Sequence, residues 1–277
     1  MLNSVKKMCK NRGPLLLALS GGSDSTALYH LMLQVGHPME VLHVDHGWRE
    51  ESALEAQKLQ SSISVPFHLR RLEKPSNNAE ECARKERLCL YREICQQRGL
   101  DGVLLAHHAD DQAETILKRI FEGARLTKLI GLEEERVVEG VTLLRPLLPH
   151  RKQELIDFLV KEGISFFVEK GGKDLRSRMR EEMLPLLSAS FGKEIVPALC
   201  RLANDAKELE TQKENFWLKE SVADFFEDQS VAISRPTLNA VSSHLLKNSR
   251  KKEMIIGQGR LLIDRGKLFY KRIDGEN

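Results

Sequence analysis

The sequence predicts an α/β fold: a parallel sheet with helices on both faces, followed by a helical linker and a small α+β C-terminal domain. Three observations carry that expectation. Short apolar runs alternate with longer stretches of helical periodicity. The runs LLLALS (15–20), MEVLHVDH (39–46) and GVLLAH (102–107) are apolar along most of their length, as strands covered on both faces are. Small and ionisable residues cluster where these runs end: SGGSDS after the first, HVDHG at the second, HHADD after the third. In parallel sheets ligands sit at the carboxyl ends of the strands, near the point where strand order reverses.

The elements follow in order. The first run leads into a helical pattern over 24–35, and the second into one over 51–62. VPFHLRRL (65–72) reads as a further strand, followed by a long helix over 78–98. RPLLPHRKQELIDFLVKEG (145–163) reads as a connector and a helix, and KDLRSRMREEMLPLL (173–187) as a basic helix closing at Pro185. An amphipathic helical stretch spans 191–227. The tail combines one helix, TLNAVSSHLL, with two strands, EMIIGQG and KLFYKRI. These elements divide into a principal domain (1–188), a linker (189–229) and a C-terminal domain (230–277).

Apolar content of 41% and charged content of 30% fit a packed core rather than disorder. The net charge, +3 from 43 basic and 40 acidic residues, is too balanced to imply a nucleic-acid partner, so clustering must carry that argument. No apolar run reaches the roughly 20 residues of a membrane helix. The N-terminus, MLNSVKKMCKNRG, lacks the apolar segment of a signal peptide. A cytoplasmic location without membrane attachment is expected. Cys9, Cys82, Cys89, Cys95 and Cys200 form no CxxC pair and are expected to be reduced thiols packed as small apolar side chains.

The stretch SGGSDS suits a phosphate. A glycine-rich turn between strand and helix exposes N–H groups, and the helix start adds partial positive charge. Gly21 and Gly22 permit close approach, and Ser20, Ser23 and Ser25 add hydroxyls. Asp24 would repel a phosphate, and a divalent cation, Mg²⁺, bridging Asp24 to phosphate oxygens resolves the conflict. The plainer alternative is a Ser/Gly helix cap with an acid in its first turn. In AHHADDQAETIL (106–117), His107, Asp111 and Glu114 fall at i, i+4 and i+7, one face of a helix that begins by His107. Two carboxylates beside a phosphate site call for a cation, and an ammonium suits them; a solvated acidic helix face is the alternative. Arg84 and Arg87 lie one turn apart on the long helix and offer planar forks for an anion. Asp45 and His46 end the second strand, where a carboxylate can meet metal or ribose. Trp48 and Arg49 follow in a loop, placed to stack on a splayed base. Two basic clusters, Lys173/Arg176/Arg178/Arg180 and Lys247/Arg250/Lys251/Lys252, could take nucleic-acid phosphates; ordinary solvated surface is the alternative.

SGGSDS resembles the SGGxDS loop of the PP-loop ATPases (N-type ATP pyrophosphatases), a superfamily with a Rossmann-like sheet. HVDHGWR, AEECARKERLCLYREI, AHHADDQAETIL, RPLLPHRKQEL and RSRMREEMLPLL, in that order over residues 15–187, resemble the tRNA(Ile)-lysidine synthases. The resemblance implies ATP with Mg²⁺ as cofactors, and as partners tRNA(Ile) bearing a CAU anticodon and free L-lysine; a homodimer is left open. It implies ATP binding by residues 20–25, and catalytic roles for Asp24, Arg87, His107, Asp111 and Glu114. Arg84, Asp45 and His46 would assist. Contacts to tRNA would fall to Trp48, Arg49, Arg176, Arg178, Arg180, Lys251 and Lys252. Which of His107, Asp111 and Glu114 accepts the amine's proton stays open. The sequence departs from the pattern before RSRMREE: FFVEKGGKDLRSR is short and lacks an asparagine, and Ser177 replaces another. A thiolase of the same superfamily, or a nucleotide-binding protein without catalysis, are the competing readings; the missing CxxC pair weighs against the first, and Asp24 against the second.

Overall fold

The structure is a computed structural model and describes residues 1–45, 52–71, 79–168, 175–229, 231–246, 251–256, 259–264 and 267–272. Chain contacts divide it into two compact units, Met1–Asn204 and Asp205–Asn277.

The first unit is built on a six-stranded sheet of order β3-β2-β1-β4-β6-β5. Its strands are β1 (Leu15–Ala18), β2 (Met39–Asp45), β3 (Phe67–Arg71), β4 (Val103–Leu104), β5 (Glu135–Val138) and β6 (Val141–Leu144). All pairs are parallel except β5–β6. β1, β2 and β4 were legible as apolar runs because both their faces are covered; β6, which pairs parallel with β4, was not anticipated. Leu15 and Leu17 pack in one core with α1 (Leu2–Cys9), α2 (Ser23–Val35), α3 (Ser52–Ser62) and α6 (Lys152–Lys161). Leu16 turns to the other face, against Tyr91 and Ile94 of α4 (Ala79–Arg98). All three leucines are fully buried, each contributing about 1.5–3 kcal/mol. Chain order runs outward from β1 to β3 and then jumps back to β4, so the switch point lies between β1 and β4.

Two elements depart from expectation. β5 and β6 form an antiparallel hairpin, turned by Glu139 and Gly140, both in the left-handed region (φ 48° and 84°). Helical structure also runs through Pro185 instead of closing there: α7 (Leu175–Arg178) continues into a π turn (Met179–Met183) and then α8 (Leu184–Phe191), with Pro185 in its first turn. Proline removes one hydrogen bond and crowds the carbonyl four residues earlier, and a widened π register relieves both. Leu184 then packs with Val196 against α5 (Ala109–Phe121), which fixes the π turn beside that helix.

The second unit holds α10 (Arg235–Leu246) and a three-stranded antiparallel sheet. Its strands are β7 (Lys252–Ile256), β8 (Gly259–Asp264) and β9 (Lys267–Arg272). The middle strand, GRLLID, was not anticipated. The core joins Val222 and Phe226, from the end of α9 (Val196–Asp228), to Val241, Ile256, Leu261 and Ile263. Among the described residues no single helix is long and apolar enough to cross a membrane.

Candidate active site

The loop after β1 is organised from within. Ser25 is buried, and its Oγ accepts from the N–H groups of Ser20 (3.1 Å) and Gly21 (3.2 Å). The Ser20 hydroxyl lies 3.0 Å from Ser25 Oγ and accepts from Gly22 N–H (3.3 Å). Ser25 is thus the hub that shapes the turn. What remains open is the first turn of α2: Gly22 is its N-cap without a side-chain cap, and the leading N–H groups of a helix have no intrahelical partner. Gly21 is required twice over. Its φ is +88°, and a Cβ would stand 2.5 Å from the Phe167 ring. Phe167 N–H donates to Gly21 O (2.9 Å), tying the segment after α6 to the loop.

Asp24 points across the switch point. Its Oδ2 lies 3.4 Å from His108 Nε2 and 3.6 Å from Lys152 Nζ, and its Oδ1 accepts from Ser23 Oγ (3.0 Å). Burial opposes its charge, but His108, Lys152 and Ser23 outweigh burial and hold the carboxyl below the usual range. His108, the N-cap of α5, is fully buried. Besides Asp24, it faces Asp110 and Asp111, each at 3.5 Å. Neither ring nitrogen has a well-formed hydrogen bond, so the ring is held by charge. Burial alone would lower its pKa; the surrounding carboxylates reverse that and raise it to about 9. Asp110 also accepts from Arg151 Nε and Nη2 and from the Lys152 backbone N–H (2.8 Å), so it caps the start of α6 and brings Lys152 to the site.

His107 faces a different environment. It lies before α5 rather than on it, yet shares with Asp111 and Glu114 a cavity of about 360 Å³. Arg84, Arg87, Arg145 and Arg176 line the same cavity. Arg145, buried at the end of β6, donates through Nε to His107 Nδ1 (3.1 Å). Burial and the Arg145 charge lower the His107 pKa to about 4, against the pull of Asp111. The ring is neutral, and with Nδ1 accepting, Nε2 carries the proton. Glu114 is buried and receives Arg180 Nε at 2.7 Å; burial raises its pKa, offset only in part by Arg180. Arg180 Nη2 also lies 3.5 Å from Asp111 Oδ1.

Ser20 to Ser25, Asp24, Arg84, Arg87, His107, Asp111 and Glu114 therefore come together at the carboxyl end of the sheet, on both sides of the switch point. Arg87 donates to Ala83 O (3.3 Å) along its own helix and lines the cavity. Asp45 is buried at the end of β2, 3.8 Å from Arg71. Arg176 lines the cavity, while Arg178 is exposed and meets Glu182 at 3.8 Å. Lys251 and Lys252 are exposed in the second unit. His46, Trp48, Arg49, Lys173, Lys247 and Arg250 lie outside the described residues. His108, Asp110, Arg145 and Lys152 were not singled out from the sequence. The doubled histidine of AHHADD and the basic residues of RPLLPHRK were their only traces. Cys9 is buried, Cys82, Cys95 and Cys200 are partly so, and Cys89 is exposed. Burial pushes the Cys9 and Cys200 thiols up and Cys95 to about 11, away from the thiolate a sulfur chemistry needs.

Sheet order, the loop after β1 and the acidic turn after β4 define a nucleotide-binding α/β protein, and the PP-loop domain family matches residues 1–187: the chain belongs to that family. Within it, the tRNA(Ile)-lysidine synthase of Chlamydia pneumoniae is 37% identical, over 90% of this chain and 92% of that one. The protein of the same name from Chlamydia muridarum is 44% identical over 70% of this chain and 64% of its own. In fold, the chain is similar to the U34-tRNA thiolase NcsA from Methanococcus maripaludis, with a TM-score of 0.60 at 16% identity, covering 75% and 77% of the two chains.

Proposed function

We propose that the protein is a tRNA(Ile)-lysidine synthase, a ligase that joins free L-lysine to C2 of the wobble cytidine in the CAU anticodon of tRNA(Ile), splitting ATP to AMP and pyrophosphate. The observation that carries this reading is the convergence of Asp24 and Asp111 on His108 across the switch point, beside a cavity lined by carboxylates and arginines. The relatives' shared name supports it.

The reaction has two steps. In the first, the cytidine C2 oxygen attacks the α-phosphorus of ATP, and the bond to pyrophosphate breaks. The start of α2 supplies N–H groups and partial positive charge for the departing pyrophosphate. In the second, the lysine ε-amine attacks C2 and AMP leaves. The amine must first lose a proton, its free pKa being about 10.4. Glu114 takes that role best: burial raises its basicity, whereas His107 is a weak base whose Nδ1 is already occupied. His107 instead offers its Nε2–H as a donor to the reacting base.

No group of three or more His, Cys, Asp or Glu among the described residues could hold a metal alone. That donor set fits Mg²⁺, which binds through one or two carboxylates, phosphates and water. Asp24 would hold it against the ATP phosphates, where it offsets their charge. For tRNA, Arg176, Arg178, Lys251 and Lys252 supply phosphate contacts weakened by salt.

The test is nucleoside mass spectrometry after incubation with ATP, Mg²⁺, lysine and unmodified tRNA(Ile). Lysidine at the wobble position, lost in D24A, is the expected result. Unchanged cytidine with a folded wild-type protein would overturn the reading.

A further inference from the structure

Arg180 belongs to a basic run that, read as sequence, faces nucleic acid. In the structure it turns inward. Its guanidinium bonds Glu114 at 2.7 Å and approaches Asp111 at 3.5 Å, two carboxylates that line the cavity. The backbone around it is fixed: Met179 beside it is buried, and Leu184 packs against α5. The side chain itself keeps about a third of its surface exposed (34%), so it can leave without the helix moving.

We propose that Arg180 is an internal stand-in for the amine co-substrate: its guanidinium holds the seat made by Glu114 and Asp111 between turnovers, and an arriving primary ammonium displaces it. This rests on the lysidine synthase reading above. Three physical arguments support it. First, Glu114 is 3% exposed and lies near a second carboxylate, so without a cation it would take up a proton and lose the charge that attracts the amine. Second, an ammonium and a guanidinium are alternative partners for the same carboxylate oxygens, and a carboxylate cannot hold both at full strength. Third, arginine is the safe occupant. It stays protonated at any working pH and so has no lone pair with which to attack an adenylated base, whereas a lysine in that seat could.

The displacement makes a signature. Removing the stand-in should strengthen binding of the amine, the reverse of what loss of a substrate-binding arginine does. Wild type and R180Q are titrated with L-lysine by calorimetry in the presence of a non-hydrolysable ATP analogue and Mg²⁺. R180Q is expected to bind lysine about tenfold more tightly, the scale of one charge-assisted hydrogen bond. Equal or weaker binding by R180Q, with lysine bound by wild type, overturns the stand-in and leaves the lysidine reading intact. Lysine bound by neither protein overturns both. R180K, which keeps a cation in the seat, gives a second readout: it is expected to bind lysine within about threefold of wild type, and a gain as large as that of R180Q overturns the proposal.

Discussion

At the end of β4, His107 turns into the cavity and meets Arg145, while His108 turns toward the loop after β1 and meets Asp24, Asp110 and Asp111. Both rings are removed from bulk water, and that alone would lower both pKa values. Among arginines the His107 value falls to about 4; among carboxylates the His108 value rises to about 9. One residue along the chain separates a neutral donor from an imidazolium. What sets protonation here is which side of the switch point the side chain faces. On the His108 side stand the groups proposed to meet phosphate, and on the His107 side the cavity proposed to take the amine and the base.

The largest effect should come from the carboxylate that joins the two sides. D24A removes one of the three carboxylates facing His108 and the proposed Mg²⁺ ligand. Lysidine formation is expected to fall by about 10³-fold, the scale of several kcal/mol of transition-state stabilisation. A fall of less than tenfold would mean that Asp24 serves only to hold His108.

His108 itself comes next. Its folded-state pKa lies above the roughly 6.5 of an unfolded histidine. Its contribution to stability is therefore fully present below pH 6.5 and lost as pH rises to about 9. The gap corresponds to about 3 kcal/mol. Urea unfolding without Mg²⁺ should show wild-type stability declining between those pH values and H108Q showing a flatter profile. Equal slopes would place the pH dependence elsewhere.

His107 should show the opposite sign. Its folded-state value lies below the unfolded one, so its neutral form stabilises above pH 6.5, and that contribution is lost as pH falls toward 4. The ring is partly open to the cavity, which reduces the effect to about 1–2 kcal/mol. H107Q should resist mild acid better than wild type, as read by unfolding at pH 5 and pH 7. If H107Q is the more acid-sensitive, the ring is charged in the folded protein and its pairing with Arg145 is misassigned.

The contrast between the two histidines also marks how far the sequence could be read. Strands β1, β2 and β4 and the loop after β1 were visible because each rests on local chemistry: apolar side chains buried on both faces, and a glycine turn before a helix. His107, Asp111 and Glu114 were found by spacing, although His107 lies before the helix. His108 was missed because nothing local distinguishes it from His107. Its character comes from Asp24, more than eighty residues earlier and brought alongside by the sheet. Lys152 was missed for the same reason. The β5–β6 hairpin escaped because Glu135 and Arg136 are exposed and give no apolar alternation; only the Glu139–Gly140 turn signalled it. Pro185 was read as a helix end, since a π register that accommodates proline leaves no mark in periodicity.

A third histidine sharpens the comparison with the smallest expected effect. His68 Nε2 lies 2.6 Å from Glu40 Oε2, closer than any carboxylate lies to His108. By distance alone it should matter more. Three features say otherwise. Glu40 is already held by Arg98 through three hydrogen bonds of 2.9–3.1 Å, so His68 adds to a carboxylate that is satisfied without it. The His68 side chain keeps 21% of its surface exposed, so water can replace the contact. And the cluster sits at the amino ends of β2 and β3, away from the carboxyl ends where the loops of the site converge. H68Q should therefore cost about 0.5–1 kcal/mol of stability and change lysidine formation by less than about twofold. A loss of activity as large as that of H108Q, in a protein that still folds, would break the argument that position relative to the switch point, rather than closeness to a carboxylate, decides what a histidine does here.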